Sequence, residues 1–211
     1  LIVKFMSPLD DLLDNQAEQC TCGIKWRQWS AWENGGEKTM NKPVNEQSVG
    51  EDELRFFPLE GLLPAGQALS VNTTYLILSL VSTHTEYGNP MLLQELLSET
   101  EAPLLLLLLE FPYYCPQEVL RAGLFYSYSG LLAGLFSSDT AARAEWQTAV
   151  EEQRLLLQLA QEEGTWKKEL KPLYNALSKL HAKLHPFGLG IFLFASSSAY
   201  SLLPLSQISQ K

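Results

Sequence analysis

Residues Glu101–Phe136, EAPLLLLLLEFPYYCPQEVLRAGLFYSYSGLLAGLF, place six consecutive leucines, Leu104–Leu109, between Pro103 and Glu110. A run of this kind suits lipid, a buried strand or a buried helix, and its neighbours have to decide. It is far shorter than the roughly 18–20 apolar residues that cross a bilayer. Helical spacing in the flanking segments favours a short helix buried on nearly all sides. After the turn FPYYCP, Pro116 suits a helix start, and Gln117–Phe136 reads as one long helix. Gly123, Ser127, Gly130 and Gly134 then share a stripe. Each interior glycine costs ~1 kcal/mol, so the stripe predicts a neighbouring backbone at close approach, above all at Gly130. Arg121, Phe125 and Tyr128 fall on the opposite side, with Leu132 and Phe136, and form a candidate partner-binding face.

The flanks read the same way. In LSVNTTYLILSLVSTHTEYG, Leu69, Thr73, Leu76 or Ile77, Leu80 and His84 recur at spacings of three and four, predicting a helix that ends at Gly88. Asn72-Thr73-Thr74 matches a glycosylation acceptor but is read as coincidence inside such a helix. Pro90 opens a further helix over MLLQELLSE. Asp139 with Thr140 caps AARAEWQTAVEEQRLLLQLAQEEG, which carries Trp146, Val150 and Leu157 on one face and stops at Gly164. Pro172–His185 gathers Leu173, Tyr174, Leu177, Leu180 and Leu184 on one side. Lys179 and Lys183 lie on the other, joined by Lys168 and Lys171 if the helix starts earlier. These lysines are either a solvated face or a contact for an acidic partner. The uncharged tail from Pro186 has an apolar core, FGLGIFLFA, too short to span a bilayer, and is expected to form a buried terminal helix.

The chain has 211 residues, 46% hydrophobic and 18% charged, which is the balance of a folded chain. Residues 1–33 read as a short helix, with Ser7 able to cap Pro8–Asp14, followed by a tryptophan-rich segment. Residues 34–60 read as a polar loop or linker, and 61–211 as a helical domain. In KWRQWSAWE, Trp26, Trp29 and Trp32 resemble the tryptophan ladder of thrombospondin type 1 repeats over seven residues. The cysteines such a repeat needs next are absent, so these tryptophans are read as a core or partner contact, with Arg27 available for stacking. No signal peptide is expected, and Leu1 is expected to lie inside a longer protein.

Three cysteines, Cys20, Cys22 and Cys115, make no disulfide framework and fit an intracellular protein of the cytoplasm or nucleus. Cys20 and Cys22 supply at most half a zinc site, and His181 with His185 at most two ligands. No phosphate loop, nucleophile elbow or metalloprotease motif is present. Neither an enzyme nor a cofactor is therefore expected. The net charge of −9 argues against non-specific binding to nucleic acid. It divides unevenly: residues 1–163 carry −14 and residues 164–211 carry +5. Such asymmetry predicts that one end is shaped by a partner or by the acidic remainder.

Leu92–Phe136 resembles one armadillo or HEAT-type repeat: a short first helix LLQELLSET, a second APLLLLLLEF, a turn, and a third EVLRAGLFYSYSGLLAGL. Gly66–Gly88 resembles the tail of a preceding unit. The resemblance implies an all-α solenoid-like stack of helices that holds a partner protein, through a bound helix or peptide, as a scaffold or adaptor in a larger complex. The family's peptide-binding asparagine falls near Tyr128, where none stands. The expected contacts are Arg121, Phe125, Tyr128, the four lysines and the three tryptophans. The alternative is a helical nucleic-acid adaptor using Lys168, Lys171, Lys179 and Lys183, and no membrane partner is expected.

Overall fold

In the computed structural model the described residues are 54–83, 91–194 and 198–207, all within the second of two units, Val49–Lys211. They form two antiparallel sheets and five α-helices, so the expected all-α helical repeat is replaced by a mixed α/β fold. The armadillo or HEAT resemblance falls with it, because two of its three supposed helices are differently built. Residues of the first lie in a strand, and the third is broken in two.

The first sheet is a meander of β1 (Leu54–Phe57), β2 (Gln67–Asn72), β3 (Ile77–Ser82) and β4 (Met91–Leu96) in sequence order. In register, Leu69 faces Leu80 and Val71 faces Leu78, while Phe57 sits opposite Leu69. Leu69, Val71 and Leu78 are fully buried in the common core. Ala68, Ser70 and Ser79, which point to the other side, are buried too. Burial of both faces removes the polar–apolar alternation that announces a strand. The three-and-four spacing of Leu69, Thr73, Leu76 and Leu80 therefore mimicked a helix. The turn between β2 and β3 is an Asx turn: Thr74 and Tyr75 donate backbone N–H groups to Asn72 Oδ1, at 3.1 and 2.8 Å.

Five helices follow: α1 (Glu101–Glu110), α2 (Gln117–Phe125), α3 (Tyr128–Phe136), α4 (Thr140–Glu162) and α5 (Trp166–Leu184). The leucine run lies in α1, as its flanks predicted, and Leu104–Leu109 are all buried. At its start, in Ser98-Glu99-Thr100-Glu101, the Ser98 N–H donates to Glu101 Oε2 at 2.8 Å, which is one half of a capping box. α1 touches α2, α5 and the second sheet, which makes it the centre of the core.

That second sheet, β5 (Cys115–Pro116), β7 (Ala199–Pro204) and β6 (Leu189–Phe194) in spatial order, draws two of its strands from the tail whose sequence predicts a buried helix. β6 and β7 pair along their full length, from Leu189 opposite Pro204 to Phe194 opposite Ala199. The tail is dense in aromatic, aliphatic and serine residues, which suit a pleated, half-buried surface.

The expected single helix 117–136 breaks between Phe125 and Tyr128. Ser127 caps the new start by accepting the Gly130 N–H at 3.2 Å. The glycine stripe is divided accordingly. A Cβ on Gly123 would strike Leu107 of α1, and one on Gly134 would lie 2.6 Å from Trp146 Cβ of α4. At Gly130 the nearest atoms belong to Ser127 and Tyr126, in the link between α2 and α3, and not to a neighbouring helix.

Candidate protein-interaction surface

The 23 residues of α4 make a rod about 34 Å long. Asp139 Oδ1 caps it by accepting the Ala141 N–H at 2.9 Å. Trp146, Val150, Leu157 and Ala160 are buried along one side, against α2, α3 and α5. This inner face is the one its spacing predicted.

The outer face is unusual. Leu155, Leu156 and Leu159 are 57, 49 and 51% exposed, although neighbouring turns of the same helix bury theirs. At 3.6 residues per turn Leu155 stands opposite the buried stripe, with Leu159 one turn above it and Leu156 at the flank. Glu151 and Glu152 lie one turn before these leucines and Glu162 and Glu163 one turn after, all exposed. The pattern EEQRLLLQLAQEE, Glu151–Glu163, is legible in the sequence, but the third leucine, Leu157, belongs to the core and hides the division of the other three.

The residues expected to bind a partner are dispersed. Arg121 is buried, and its guanidinium bonds Gln153 of α4 and pairs with Glu169 of α5 at 2.8 Å. It joins three helices, which is a structural role. Phe125 is 57% exposed and lies 5.1 Å below the Arg121 guanidinium carbon. Tyr128 is half-buried, and its hydroxyl has no hydrogen-bond partner among the described residues. Burial pushes that phenol up to about 12, against the opposing pull of Arg55. Lys168, Lys171 and Lys179 are exposed on one side of α5, together with Lys167. Lys183 turns inward, donating to the Leu96 carbonyl at 2.7 Å and to Glu101 at 2.6 Å. Trp26, Trp29 and Trp32 lie outside the described residues, as do Cys20, Cys22 and His84. His181 Nδ1 accepts the Ile191 N–H at 3.0 Å, so the β6 backbone occupies that nitrogen.

A cleft of about 1120 Å³ opens between the β2–β3 turn and helices α2 and α3. Its walls are hydroxyls of Thr73, Thr100 and Ser129 and rings of Tyr126 and Phe136, with the Arg55 guanidinium carbon 3.8 Å from the Phe136 ring centroid. Among the described residues the wall carries one carboxylate, Glu99, and no histidine or cysteine. No described helix is long and apolar enough to cross a membrane.

Comparison with protein-family models, curated proteins and solved structures found no match to this chain.

Proposed function

We propose that this chain is a non-enzymatic protein-interaction module, a subunit that joins a larger assembly through the outward face of α4. One observation carries this reading: Leu155 and Leu159 stand half-exposed on the side of a regular helix opposite its core stripe, with Leu156 half-exposed at the flank. Their exposure leaves apolar surface in water, at about 25 cal/mol per Å². Contiguous apolar surface on a rigid element is where partners dock.

The test is the double variant Leu155→Ser/Leu159→Ser in full-length protein. Both side chains point to solvent, so circular dichroism and the melting temperature should match the parent. In a native extract the parent should sediment in a complex larger than its own mass, and the variant should sediment free. A variant that stays in the same complex overturns the reading.

A second reading, a nucleic-acid adaptor, is favoured by one observation: Lys167, Lys168, Lys171 and Lys179 are exposed together on α5. It predicts binding to single- or double-stranded nucleic acid that falls steeply with salt. Charge reversal at Lys168, Lys171 and Lys179 should abolish it, and undiminished binding in that variant eliminates this alternative.

A further inference from the structure

We infer that the occupant of the α4 outer face is an amphipathic helix from another protein, with an apolar stripe bracketed by lysine or arginine at both ends. This inference rests on the reading of α4 as a docking surface, and it adds the shape and charge of the partner. The shape follows from the patch. Leu155, Leu156 and Leu159 form a short ridge along a straight helix rather than the floor of a groove. The natural complement of such a ridge is the groove between side-chain rows of a second helix.

The charge follows from the glutamates. Glu151 is held by Arg154 at 2.6 Å, while Glu152, Glu162 and Glu163 have no ion-pair partner among the described residues. Glu162 and Glu163 also stand at the C-terminal end of α4, where the helix dipole disfavours anions and whose last turn holds no basic residue. A local arrangement that works against its own helix marks a functional constraint. Cations from a partner would reverse the penalty at the same sites where its apolar stripe meets the leucines.

The same geometry disfavours other occupants. The glutamate pairs bracket the leucines almost symmetrically, so a second copy that superposed its leucine ridge would set glutamate against glutamate in either orientation. An anionic lipid surface would meet the same repulsion. A basic helix meets attraction at both ends, with the leucines fixing its register.

The probe is a designed peptide of about 20 residues, long enough to become helical on binding. It carries leucines at i, i+1 and i+4 and a lysine pair one turn beyond each end. Its twin has glutamates for the lysines. Both are titrated against full-length protein by fluorescence anisotropy. The lysine probe should bind, more weakly at high salt, and its twin should bind roughly tenfold or more weakly. The triple variant Glu152→Lys/Glu162→Lys/Glu163→Lys should invert the preference, and Leu155→Ser/Leu159→Ser should remove binding of both. Equal binding of the two peptides, or no binding of the lysine probe to folded protein, overturns the inference. So does a salt-insensitive dimer in sedimentation equilibrium that the leucine variant dissolves. If the complex in extract still depends on the leucines but survives charge reversal, the interaction reading stands and the basic partner falls. If the leucine variant leaves that complex intact, the interaction reading itself has failed.

Discussion

Lys183 Nζ lies 2.6 Å from Glu101 Oε2, an ion pair between residues 82 positions apart that ties the end of α5 to the start of α1. The same carboxylate oxygen accepts the Ser98 N–H, and the same ammonium donates to the Leu96 carbonyl. One contact therefore closes β4, the α1 cap and α5 onto each other. It also withdraws Lys183 from the lysine face that the α5 spacing suggested.

Burial acts to raise the Glu101 carboxyl, but the Lys183 ammonium and the Ser98 groups outweigh it and hold it below its ordinary 4.5. A carboxyl lowered in the fold contributes stability that is present above its unfolded value and lost as the pH falls through the folded one. Lys183→Met should therefore lower neutral-pH stability by about 1–3 kcal/mol and make the acid limb of a stability–pH profile shallower. Urea melts from neutrality to below pH 4.5 check both. An acid limb as steep as the parent's would show that the ion pair does not govern Glu101.

Arg121 is expected to act on the fold and not on a partner. Arg121→Ala should cost about 1.5–3 kcal/mol through its lost charged hydrogen bonds, with some packing of the side-chain stem lost besides. The cost should couple to Glu169→Gln in a double-mutant cycle. Additive losses would place the stabilising role of Arg121 elsewhere than in the Glu169 pair.

Tyr128 offers the opposite sign. Its hydroxyl is buried without a partner among the described residues, and the ring supplies the packing. Tyr128→Phe should thus be neutral or stabilising by up to about 1 kcal/mol, whereas Tyr128→Ala should destabilise by a few kcal/mol. A thermal melt in which Tyr128→Phe loses several degrees would show that the hydroxyl is bonded.

Gly134 lies against Trp146 Cβ and the Ala142 carbonyl, and the Trp146 ring meets Tyr126 at a tilt of 58° with centroids 5.7 Å apart. Gly134→Val should overpack the α3–α4 contact by about 1–3 kcal/mol. Near-ultraviolet circular dichroism should change with it as the tryptophan moves. A parent-like spectrum and melt would show that the two helices are further apart.

Cys115 is fully buried in β5, and burial raises its thiol strongly, with Glu118 adding to the effect. Only thiolate reacts, so iodoacetamide should leave Cys115 unmodified in native protein and label it after denaturation, as peptide mass spectrometry reads. Rapid native labelling would place Cys115 at the surface.

The leucine run, α4 and α5 were legible because their signals are local and long. Six leucines between a proline and a glutamate mark a buried segment whatever its conformation, and a stripe at Trp146, Val150 and Leu157 leaves little choice of period. The strands were illegible for the converse reason. QALSVN and ILSLVS are short and buried on both faces, so neither length nor alternation distinguishes them from turns of a buried helix. The local sign that separates them is Asn72 opening NTTY, a turn signal that lies in the middle of the helical spacing. Ser98-Glu99-Thr100-Glu101 likewise announces the start of α1 and argues against continuing a helix through β4.

By itself, then, the sequence determined that the chain folds, that Leu104–Leu109 lie at its centre, and which stripe of α4 and, apart from the exposed Tyr174, which stripe of α5 turns inward, since periodicity and hydrophobicity are properties of neighbouring residues. Only the tertiary structure decided that the apolar segments flanking α1 and α5 pair as sheets. Strand pairing depends on partners such as Cys115 and Tyr200 that are distant in sequence. It decided equally that Leu157 is core while Leu155, Leu156 and Leu159 are not, because a run of leucines does not say which of them will find a neighbour to pack against.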